Sequence, residues 1–422
     1  MLTVAEARAR ILEHFTPLAA ERVTLAEAAG RVLAEDVPAA ENLPPFANSS
    51  MDGYAVRVAD VAAATAADPV SLPVAGDIPA GASMGAVLAA GTALRIMTGA
   101  PVPAGAEAVV PVEDTDDPRG GERHAEMAAL PAQVRVFKAP ALGDNVRPAG
   151  QDVRAGQLVL PAGTLLRPAA IGILAALGHA HVAVHRRPRV ALLSTGDELV
   201  PVEQTPGPGQ IRDSNGYSLA AAIAQYGGDV VRLGIAADRL DEVRAKLRQA
   251  VAAGADLIIS SAGVSVGAYD VVKSAIETDG SLTFWRVKMR PGKPLAFGQV
   301  RGDGGHAVPF LGLPGNPVSA LVGLEVFVRP VLLKLAGHRS GERLTVAARL
   351  AEPVASDGRE TYLRVRLERA PAGDGYVAHS TGQQGSNIIS SLVKADGLLI
   401  VPAGVTEVPA GASLPVWLLD AF

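Results

Sequence analysis

The chain has 422 residues, 49% of them hydrophobic, which is enough for about three domains with cores of their own. Its formal net charge of −5 gives no general attraction to nucleic acid or acidic membranes, so an anion site requires a local concentration of positive groups. The absence of cysteine excludes disulfides, thiolate metal sites and a cysteine nucleophile.

The N-terminal segment does not have the composition of a secretory signal. Glu6, Arg8 and Glu13 lie where a signal peptide has an uncharged core. The longest apolar stretch, residues 321–335, contains charged residues and is too short to cross a membrane. We therefore expect a cytoplasmic protein without membrane or nucleic-acid partners.

The first third of the chain changes from helical to β patterning. Residues 3–15 and 24–34 are predicted helices, because Thr3 with Glu6, and Thr24 three residues before a glutamate, have the spacing of a capping box. Between 46 and 140, short apolar runs separated by glycine and proline turns predict a small β domain. Since 141–175 returns to turns and helix, the β domain is predicted to be inserted into a split helical domain.

Residues 188–335 alternate between strand and helix patterns. The predicted strands are Val190–Ser194, Val230–Ile235, Leu257–Ser260, Thr283–Met289, Leu295–Val300 and Val308–Leu313. The predicted helices cover residues 215–226, 239–253, 270–278 and 317–335. This order predicts a mostly parallel sheet with ligands beyond the carboxyl ends of its strands. After residue 343, short alternating runs predict a small C-terminal β barrel or sandwich.

Polar loops follow four of the predicted strand ends. They are Ser194–Glu198, the region of Asp238, Ser260–Gly267 with Asp270 beyond it, and the pair of loops Arg290–Pro294 and Leu313–Ser319. Serines, glycines and the free N–H groups at helix N-termini suit phosphate, and Arg286, Arg290 and Lys293 supply positive charge. The sequence therefore predicts an anion site at this edge.

Carboxylates follow strands at the same predicted edge. Two of Glu198, Asp238 and Asp270 are placed to share a hard divalent cation such as Mg²⁺. Each feature also has a structural explanation: the 194–198 loop as an ordinary turn, Asp238 as a helix cap, and the arginines as a solvated face. Four such loops on one edge favour the functional interpretation, because unrelated polar loops would scatter over both edges.

The inserted β domain begins with a second group of polar turns. Asn48–Tyr54 follows two prolines at a domain border, where clefts commonly form, although Asp52 can also serve only to cap the turn. Ile96–Pro101 and Gly150–Asp152 are further polar turns in or after this domain. The histidines show no metal-ligand spacing.

Several of these motifs together resemble one known family, the molybdopterin molybdenumtransferases, or MoeA family, which includes the E domain of gephyrin. The matching segments are Ser49–Tyr54, Ile96–Pro103, Leu193–Leu199, Ser260–Gly267, Pro291–Gly298 and Gly312–Ala320. They occur in the family's order over essentially the whole chain. The resemblance implies a multidomain α/β plus β fold with four domains. Their expected bounds are 1–45 with 141–175 for the split N-terminal domain, 46–140 for the inserted β domain, 176–335 for a MogA-like α/β domain and 336–422 for a C-terminal β barrel.

The resemblance also implies an activity. Members of the family insert molybdate into the dithiolene of adenylylated molybdopterin with Mg²⁺ present, and they release AMP. It implies an elongated homodimer whose active site lies between the α/β domain of one subunit and the second domain of the other. Other proteins of molybdenum cofactor biosynthesis are expected as further partners.

Site residues follow from the resemblance position by position. The expected catalytic residues are Asp52, Thr98, Asp152, Glu198, Asp238 and Asp270, with Glu198 and Asp238 as metal ligands. The expected substrate- and cofactor-binding residues are Ser261, Gly263, Ser265, Arg286, Arg290, Lys293, Pro314, Gly315, Asn316, Pro317, Arg364 and Ser386. Of these, Arg364 and Ser386 match the family's proposed molybdate-binding pair.

Several positions depart from the family pattern. Arginine stands at 286 and 290 where lysine is typical, which keeps the charge but replaces a point ammonium by a planar fork. Ala262 stands where glycine is usual, and Gln384 is followed by Gly385 where the motif often begins Gly-His-Gln.

Two other functions remain as alternatives. Molybdopterin adenylyl transfer is associated with the MogA-like fold alone, but that fold requires neither the N-terminal insertion nor a C-terminal β domain. A non-catalytic pterin-binding scaffold is the second alternative, although the sequence contains no long linker or interaction tail.

Overall fold

The computed structural model describes residues 1–117, 129–262, 269–277, 280–302, 307–370, 373 and 375–419. They belong to two compact units. The larger unit comprises Met1–Glu35, Ala162–Arg167 and His181–Phe422, and the smaller unit comprises Asp36–Pro161 and Pro168–Ala180. The bounds of the four predicted domains remain a prediction. Among the described residues, no helix is long and apolar enough to span a membrane.

The helices fall mainly in the larger unit. They are α1 (Val4–Leu12), α2 (Leu25–Ala28), α3 (Pro168–Ala176), α4 (Asn215–Gln225), α5 (Leu240–Ala252), α6 (Tyr269–Glu277), α7 (Pro317–Gly323), α8 (Arg329–Leu335) and α9 (Ser390–Val393). Helix α1 begins with the predicted capping box: the N–H of Glu6 donates to Thr3 Oγ1 at 3.2 Å, and the N–H of Thr3 donates to Glu6 Oε2 at 2.8 Å.

The predicted helix over 24–34 is wrong beyond its first turn. The capping box at Thr24 is present, but α2 ends at Ala28. Gly30 adopts a φ of +74°, and Val32 and Leu33 then form β-bridges with Leu165 and Val184. The glycine ends the helix because its left-handed conformation cannot continue one.

The smaller unit is built around a five-stranded sheet, which agrees with the predicted β insertion. Its strands and flanking pairs are β2 (Val37–Pro38), β3 (Asn48–Ser49), β4 (Gly53–Val56), β5 (Val70–Ile78), β6 (Ala93–Ile96), β7 (Ala108–Pro111), β8 (Gln133–Val136), β9 (Val146–Arg147) and β10 (Leu158–Leu160). The sheet order is β7-β4-β6-β5-β8, antiparallel except for the β5–β6 pair.

The larger unit contains a six-stranded central sheet. The strands of this region are β1 (Ala20–Thr24), β11 (His181–His185), β12 (Arg189–Thr195), β13 (Leu199–Val200), β14 (Ile211–Arg212), β15 (Asp229–Ala236), β16 (Leu257–Ser261), β17 (Gly280–Arg286), β18 (Met289–Arg290), β19 (Pro294–Arg301) and β20 (Ala307–Leu313). The sheet order is β15-β12-β16-β20-β19-β17. Helix α1 covers one face, where its Val4, Ala7 and Ile11 share a core with Val190 and Leu192.

The first four strands in this order are parallel, as predicted, whereas β19 pairs antiparallel with both β20 and β17 and so runs against the other strands of this sheet. Five residues join β19 to β20, which is too short for the crossover that a parallel pair requires. The predicted strand 283–289 is also displaced, because β17 ends at Arg286 and Met289 lies in the separate strand β18.

The C-terminal segment forms the predicted barrel. Its strands are β21 (Thr345–Leu350), β22 (Val354–Ala355), β23 (Glu360–Arg369), β24 (Tyr376–Ser380), β25 (Gly397–Val401), β26 (Glu407–Val408) and β27 (Ser413–Leu418). The pairing β23-β24-β21-β27-β25 returns to β23 and closes the ring. Strand β18 lies in the connection between β17 and β19 of the central sheet. It pairs in parallel with the start of β23, so this connection attaches the barrel to the central sheet.

A buried ionic cluster also joins the barrel to the α/β part of the larger unit. Between α7 and α8 the helix passes through a π-helical turn, Leu324–Val328. Glu325 in this turn accepts hydrogen bonds from Tyr226 at 2.6 Å and from Arg343 Nε at 3.1 Å. Arg343 also donates to the carbonyl oxygens of Leu418 and Leu419, at 2.7 and 3.0 Å.

We expect Glu325→Gln to destabilise the larger unit by about 3 kcal/mol, because it leaves the buried Arg343 without its counterion. Urea unfolding followed by tryptophan fluorescence measures the loss. The matched control is Glu35→Gln, which removes the exposed 3.9 Å pair with Arg22 and should leave the midpoint nearly unchanged. Equal midpoints for the two variants would contradict the role assigned to the cluster.

Candidate functional site

The two proline-glycine loops meet because β19 and β20 are antiparallel. Residue Ala296 of β19 pairs with Gly312 of β20, so the loop that enters β19 and the loop that leaves β20 lie at the same edge of the sheet. This edge is also the carboxyl edge of the parallel strands. The sequence alone predicted the shared edge but not the antiparallel pairing that produces it.

These loops form one wall of a cavity of about 370 Å³, which we call the cationic cavity. Its lining residues are Arg290, Pro291, Gly292, Lys293, Pro294, Pro314, Gly315, Asn316, Ser319, Arg359, Gln384, Gly385 and Ser386. The lining contains three cationic side chains and no carboxylate. An anion is the ligand that such a lining stabilises, since charge-assisted hydrogen bonds are about twice as strong as neutral ones.

The barrel supplies the other wall of the cationic cavity. The carbonyl oxygen of Ser386 accepts a hydrogen bond from the N–H of Val318 at 3.0 Å, which fixes the barrel loop against the start of α7. Arg359 Nη1 donates to the carbonyl oxygen of Met289 at 3.2 Å. These contacts hold the barrel loops beside the Arg290–Pro294 loop.

Asp357 is the counterion of the cavity's arginines. Arg359 Nε donates to both of its carboxylate oxygens at 3.0 Å, and Arg290 Nη1 lies 3.8 Å from its Oδ2. The hydrogen bonds from Arg359, followed by the charge of Arg290, lower the pKa of Asp357 to about 2. Asp357 is not among the lining residues, so its charge orients the arginines from outside the cavity.

Arg364 bounds a second cavity, of about 310 Å³, on the barrel side. The two cavities share Arg290, Pro291 and Gln384. Arg364 is 1% exposed, and its burial, with the nearby charge of Arg290, lowers its pKa to about 10. Its described hydrogen bonds go to neutral groups, Ser391 Oγ at 3.0 Å and the Gly385 carbonyl at 3.2 Å.

The expected molybdate pair, Arg364 and Ser386, is therefore not brought into one cavity lining. Ser386 lines the cationic cavity, whereas Arg364 lines the barrel-side cavity. Gln384 separates them, because its Oε1 accepts from the N–H of Arg364 at 3.0 Å and its side chain lines both spaces.

The loop after β20 is supported from behind by two neighbouring segments. Asn215, the first residue of α4, donates from Nδ2 to the carbonyl oxygen of Gly315 at 2.7 Å. Ala262 adopts a φ of +71°, and a Cβ at Gly315 would lie only 3.2 Å from its methyl group. The left-handed backbone explains why glycine is usual at 262, and the close approach disfavours a side chain at position 315.

Carboxylates gather at the ends of β12 and β15. Asp197 Oδ1 accepts from the N–H of Asp238 at 3.0 Å, which joins the two loops. Glu198 folds back over Gly196, where a Cβ would lie 2.4 Å from Glu198 Oε2 and φ is +146°. Burial, then the charges of Asp197 and Glu198, raises the pKa of Asp238, and its buried Oδ1 has no hydrogen-bond partner.

Several predicted site residues lie outside this geometry. Gly263 and Ser265 are outside the described residues, and Asp270 lies in α6 with its side chain outside the described part. Ser261 is buried at the end of β16, and Pro317 is the first residue of α7. Neither lines the cationic cavity, nor does the exposed Arg286 at the end of β17.

In the smaller unit, two predicted residues form a direct pair. Thr98 donates to Asp52 Oδ1 from its backbone N–H at 2.7 Å and from its Oγ1 at 2.8 Å. Asp152 is exposed, and its described hydrogen bond goes from its N–H to the carbonyl of Leu43. The pair of Asp52 with Thr98 is therefore seen directly, but no described contact joins Asp152 to it.

Four residues of the site were missed in the sequence. Arg359 lies five residues before Arg364, and Asp197 directly precedes Glu198. Asp213 and Asn215 lie at the start of a predicted helix. Asp213 is buried and accepts from Ser194 Oγ and from the N–H of Gly216, both at 2.8 Å. An Asp-Ser-Asn-Gly sequence opening a helix was the available signal, although it is also an ordinary cap.

Comparison with known proteins agrees with this architecture. Residues 2–178 match the model of the MoeA N-terminal region (domain I and II), 191–334 match a probable molybdopterin binding domain, and 347–419 match the MoeA C-terminal region (domain IV). Two solved structures of MoeA proteins from Pyrococcus horikoshii superpose with TM-scores of 0.81 and 0.80, at 32% and 27% identity. They cover 100% and 99% of this chain and 100% of their own.

Curated relatives match over nearly the same length. Molybdopterin molybdenumtransferase 2 of Mycobacterium tuberculosis is 43% identical over 405 residues, which cover 94% of each chain. Molybdopterin molybdenumtransferase of a Nostoc species is 40% identical over 401 residues, which cover 94% of this chain and 88% of the relative. The chain therefore belongs to the molybdopterin molybdenumtransferase family, the MoeA-type transferases of molybdenum cofactor biosynthesis.

Proposed function

We propose that this chain inserts molybdate into adenylylated molybdopterin and releases AMP. The observation that carries the proposal is the cationic cavity, which gathers Arg290, Lys293 and Arg359 and has no carboxylate in its lining. Both substrates are oxyanions, and their mutual repulsion opposes their meeting. Two unit charges 4 Å apart repel by about 1 kcal/mol in water and about 4 kcal/mol near a protein surface, so fixed cations are the first requirement.

The roles of the basic residues follow from their positions. Arg290 and Lys293 bind the phosphate of the pterin or the incoming molybdate in the cationic cavity. Arg364 and Ser386 bind the same oxyanion from the barrel side, and this role requires Gln384 to move aside. Ser261, Gly263, Ser265, Arg286 and the Pro314–Pro317 loop are further substrate-binding candidates from the family pattern.

Mg²⁺ is part of the proposal, with Glu198 and Asp238 as its ligands. The residues fit the ion in one respect. In the part of the chain that the structure describes, Asp238 has a buried oxygen without a hydrogen-bond partner, and burial and the neighbouring carboxylates raise its pKa. A bound cation would offset the repulsion among these carboxylates and stabilise the charged form of Asp238. Among the described residues no group of three or more His, Asp or Glu is arranged to hold a metal. Mg²⁺ commonly takes one or two carboxylates together with substrate phosphates. When bound, it would polarise a phosphoryl oxygen of the substrate.

The reaction has two bond changes. In the anhydride, a water oxygen attacks either phosphorus, or a molybdate oxygen attacks the pterin phosphorus, and the bond from that phosphorus to the bridging oxygen breaks, so that AMP leaves. The two dithiolene sulfurs bind molybdenum, and one displaced molybdate oxygen leaves as water with the two thiol protons. Asp152 and Asp270 remain candidate polar groups for these proton transfers.

We further propose that the enzyme is a homodimer in the cytoplasm. Asp52 and Thr98 of a second copy would then complete the site, as the family resemblance implies. Within one chain, Thr98 holds Asp52 in place through two hydrogen bonds to its Oδ1.

The decisive experiment is an assay of AMP release from adenylylated molybdopterin, with and without molybdate and Mg²⁺. The proposal requires release that depends on molybdate and that falls when Mg²⁺ is chelated. Consumption of ATP without molybdate would identify an adenylyltransferase. Tight binding of a partner peptide with no AMP release would identify a scaffold.

Lys293→Ala should lower kcat/KM for molybdate-dependent AMP release by about 10- to 100-fold, because it removes one charge-assisted hydrogen bond from the cationic cavity. Steady-state assays at fixed ionic strength measure the change. The matched control is Lys394→Ala, which removes an exposed lysine of the barrel that is not among the lining residues. Equal losses in both variants would mean that only net charge counts.

Glu198→Gln should abolish turnover while leaving pterin binding mostly intact, because it removes a metal carboxylate but no cation of the cavity. Turnover and equilibrium pterin binding are measured on the same preparation. Glu203→Gln, an exposed carboxylate five residues further on, is the control and should keep both. A loss of pterin binding as severe as the loss of turnover would rule out the metal role.

Asp238→Asn should raise the melting temperature of the metal-free protein and remove the stabilisation that Mg²⁺ gives the wild type. A raised pKa means that the fold disfavours the charged carboxylate. This penalty is fully present above the folded pKa and disappears as the pH falls towards 3.8. The thermal shift is measured at pH 7 with and without Mg²⁺.

The control for this variant is Asp241→Asn in the first turn of α5. The pKa of Asp241 is lowered by Arg239, so its removal should not stabilise the protein. An unchanged Mg²⁺ shift in Asp238→Asn would show that the ion binds elsewhere.

A further inference from the structure

Asn215 contains a buried hydrogen-bond acceptor that the fold does not use. The residue is 8% exposed, its Nδ2 donates to the Gly315 carbonyl at 2.7 Å, and its Oδ1 has no hydrogen-bond partner among the residues that the structure describes. Because the Gly315 carbonyl oxygen can only accept, the Asn215 amide has to present its Nδ2 to it. This bond fixes the orientation of the amide and leaves Oδ1 pointing away from the Gly315 carbonyl. An unsatisfied buried acceptor is unfavourable, whereas an apolar side chain of similar size would fill the position without that penalty.

The position of this acceptor relates it to the proposed reaction. Gly315, to which the amide is bonded, lines the cationic cavity. Asn215 lies two residues after Asp213, which accepts from Ser194 Oγ, three residues before Asp197. Asn215 is therefore hydrogen-bonded to the loop of the cationic cavity and lies two residues from Asp213, which contacts the end of β12; Asn215 itself is not among the residues that line the cavity.

We propose that Asn215 Oδ1 accepts a hydrogen bond from a donor on the organic part of the bound substrate; this inference rests on the proposed function. Molybdate and ionised phosphate offer only acceptors, so they cannot satisfy this oxygen. The donors of adenylylated molybdopterin are the N–H groups of its pterin and adenine and the hydroxyl groups of its ribose. Asn215 thus recognises the organic part of a ligand whose anionic part binds in the cationic cavity.

The test compares four probes on wild type and Asn215→Leu by calorimetry: inorganic phosphate, ribose 5-phosphate, AMP and neopterin monophosphate. Phosphate binding should change by less than about threefold, and at least one organic probe should lose about 10- to 100-fold in affinity, as expected for a lost hydrogen bond to a buried partner. Loss for ribose 5-phosphate and AMP identifies the ribose, loss for AMP alone the adenine, and loss for neopterin monophosphate the pterin.

The matched control is Ser218→Ala, one turn further along α4, where all four affinities should be kept. Asn215→Ala provides the same comparison if leucine prevents folding. Equal loss for phosphate and the organic probes would show that Asn215 only holds the Gly315 loop. No loss for any probe would show that a water satisfies Oδ1, and either result overturns the inference.

Failure of the proposed function has a different signature. If the wild type binds neither phosphate nor AMP, the cationic cavity is not an anion site, and this inference falls with it. If the wild type binds both and Asn215→Leu binds them equally well, only the inference about Asn215 is overturned.

Discussion

The buried ion pair between Glu325 and Arg343 is the contact on which the rest of the larger unit depends. The cationic cavity exists only where loops of the central sheet meet loops of the barrel, and Arg343 ties the π-helical turn to the last barrel strand through the Leu418 and Leu419 carbonyls. Both charges are almost completely buried, so neither is stable without the other. A change in the barrel's orientation would separate Ser386 from Val318 and open one wall of the cavity.

The order of strands in the central sheet separates the acidic residues from the basic residues of the site along one edge. Carboxylates follow β15 and β12, whereas the cationic loops adjoin β20 and β19, with β16 between the two groups. Since neighbouring strands are about 4.8 Å apart, the acidic and basic ends are separated by roughly 10–20 Å. A compact anion such as molybdate fits within one end. A long substrate with two phosphoryl groups is required to use both.

Local chemistry was sufficient to single out some residues of the candidate site from the sequence. Lys293, Gly315 and Glu198 stand in turns whose glycines, prolines and charges indicate their own function. Arg359, Asp213 and Asn215 were missed because their roles arise from contacts with residues about 70, 19 and 100 positions away in the chain. The helix predicted over 24–34 failed for a related reason. Local propensity favoured it, but Val32 and Leu33 pair with strands more than 130 residues distant.

At Ala262 a local backbone constraint and a packing contact with a residue distant in the chain act together. Its positive φ is unfavourable for an L-residue. Its methyl group lies close to the position that a side chain at Gly315 would occupy. The Gly315 loop is thereby held between Ala262 on one side and the Asn215 amide on the other. A loop fixed in this way keeps its N–H groups oriented before the ligand arrives, so binding does not require this loop to be ordered first. The bond to the Gly315 carbonyl also fixes which end of the Asn215 amide faces that loop, and this orientation leaves Oδ1 as the acceptor that the proposed ligand donor satisfies.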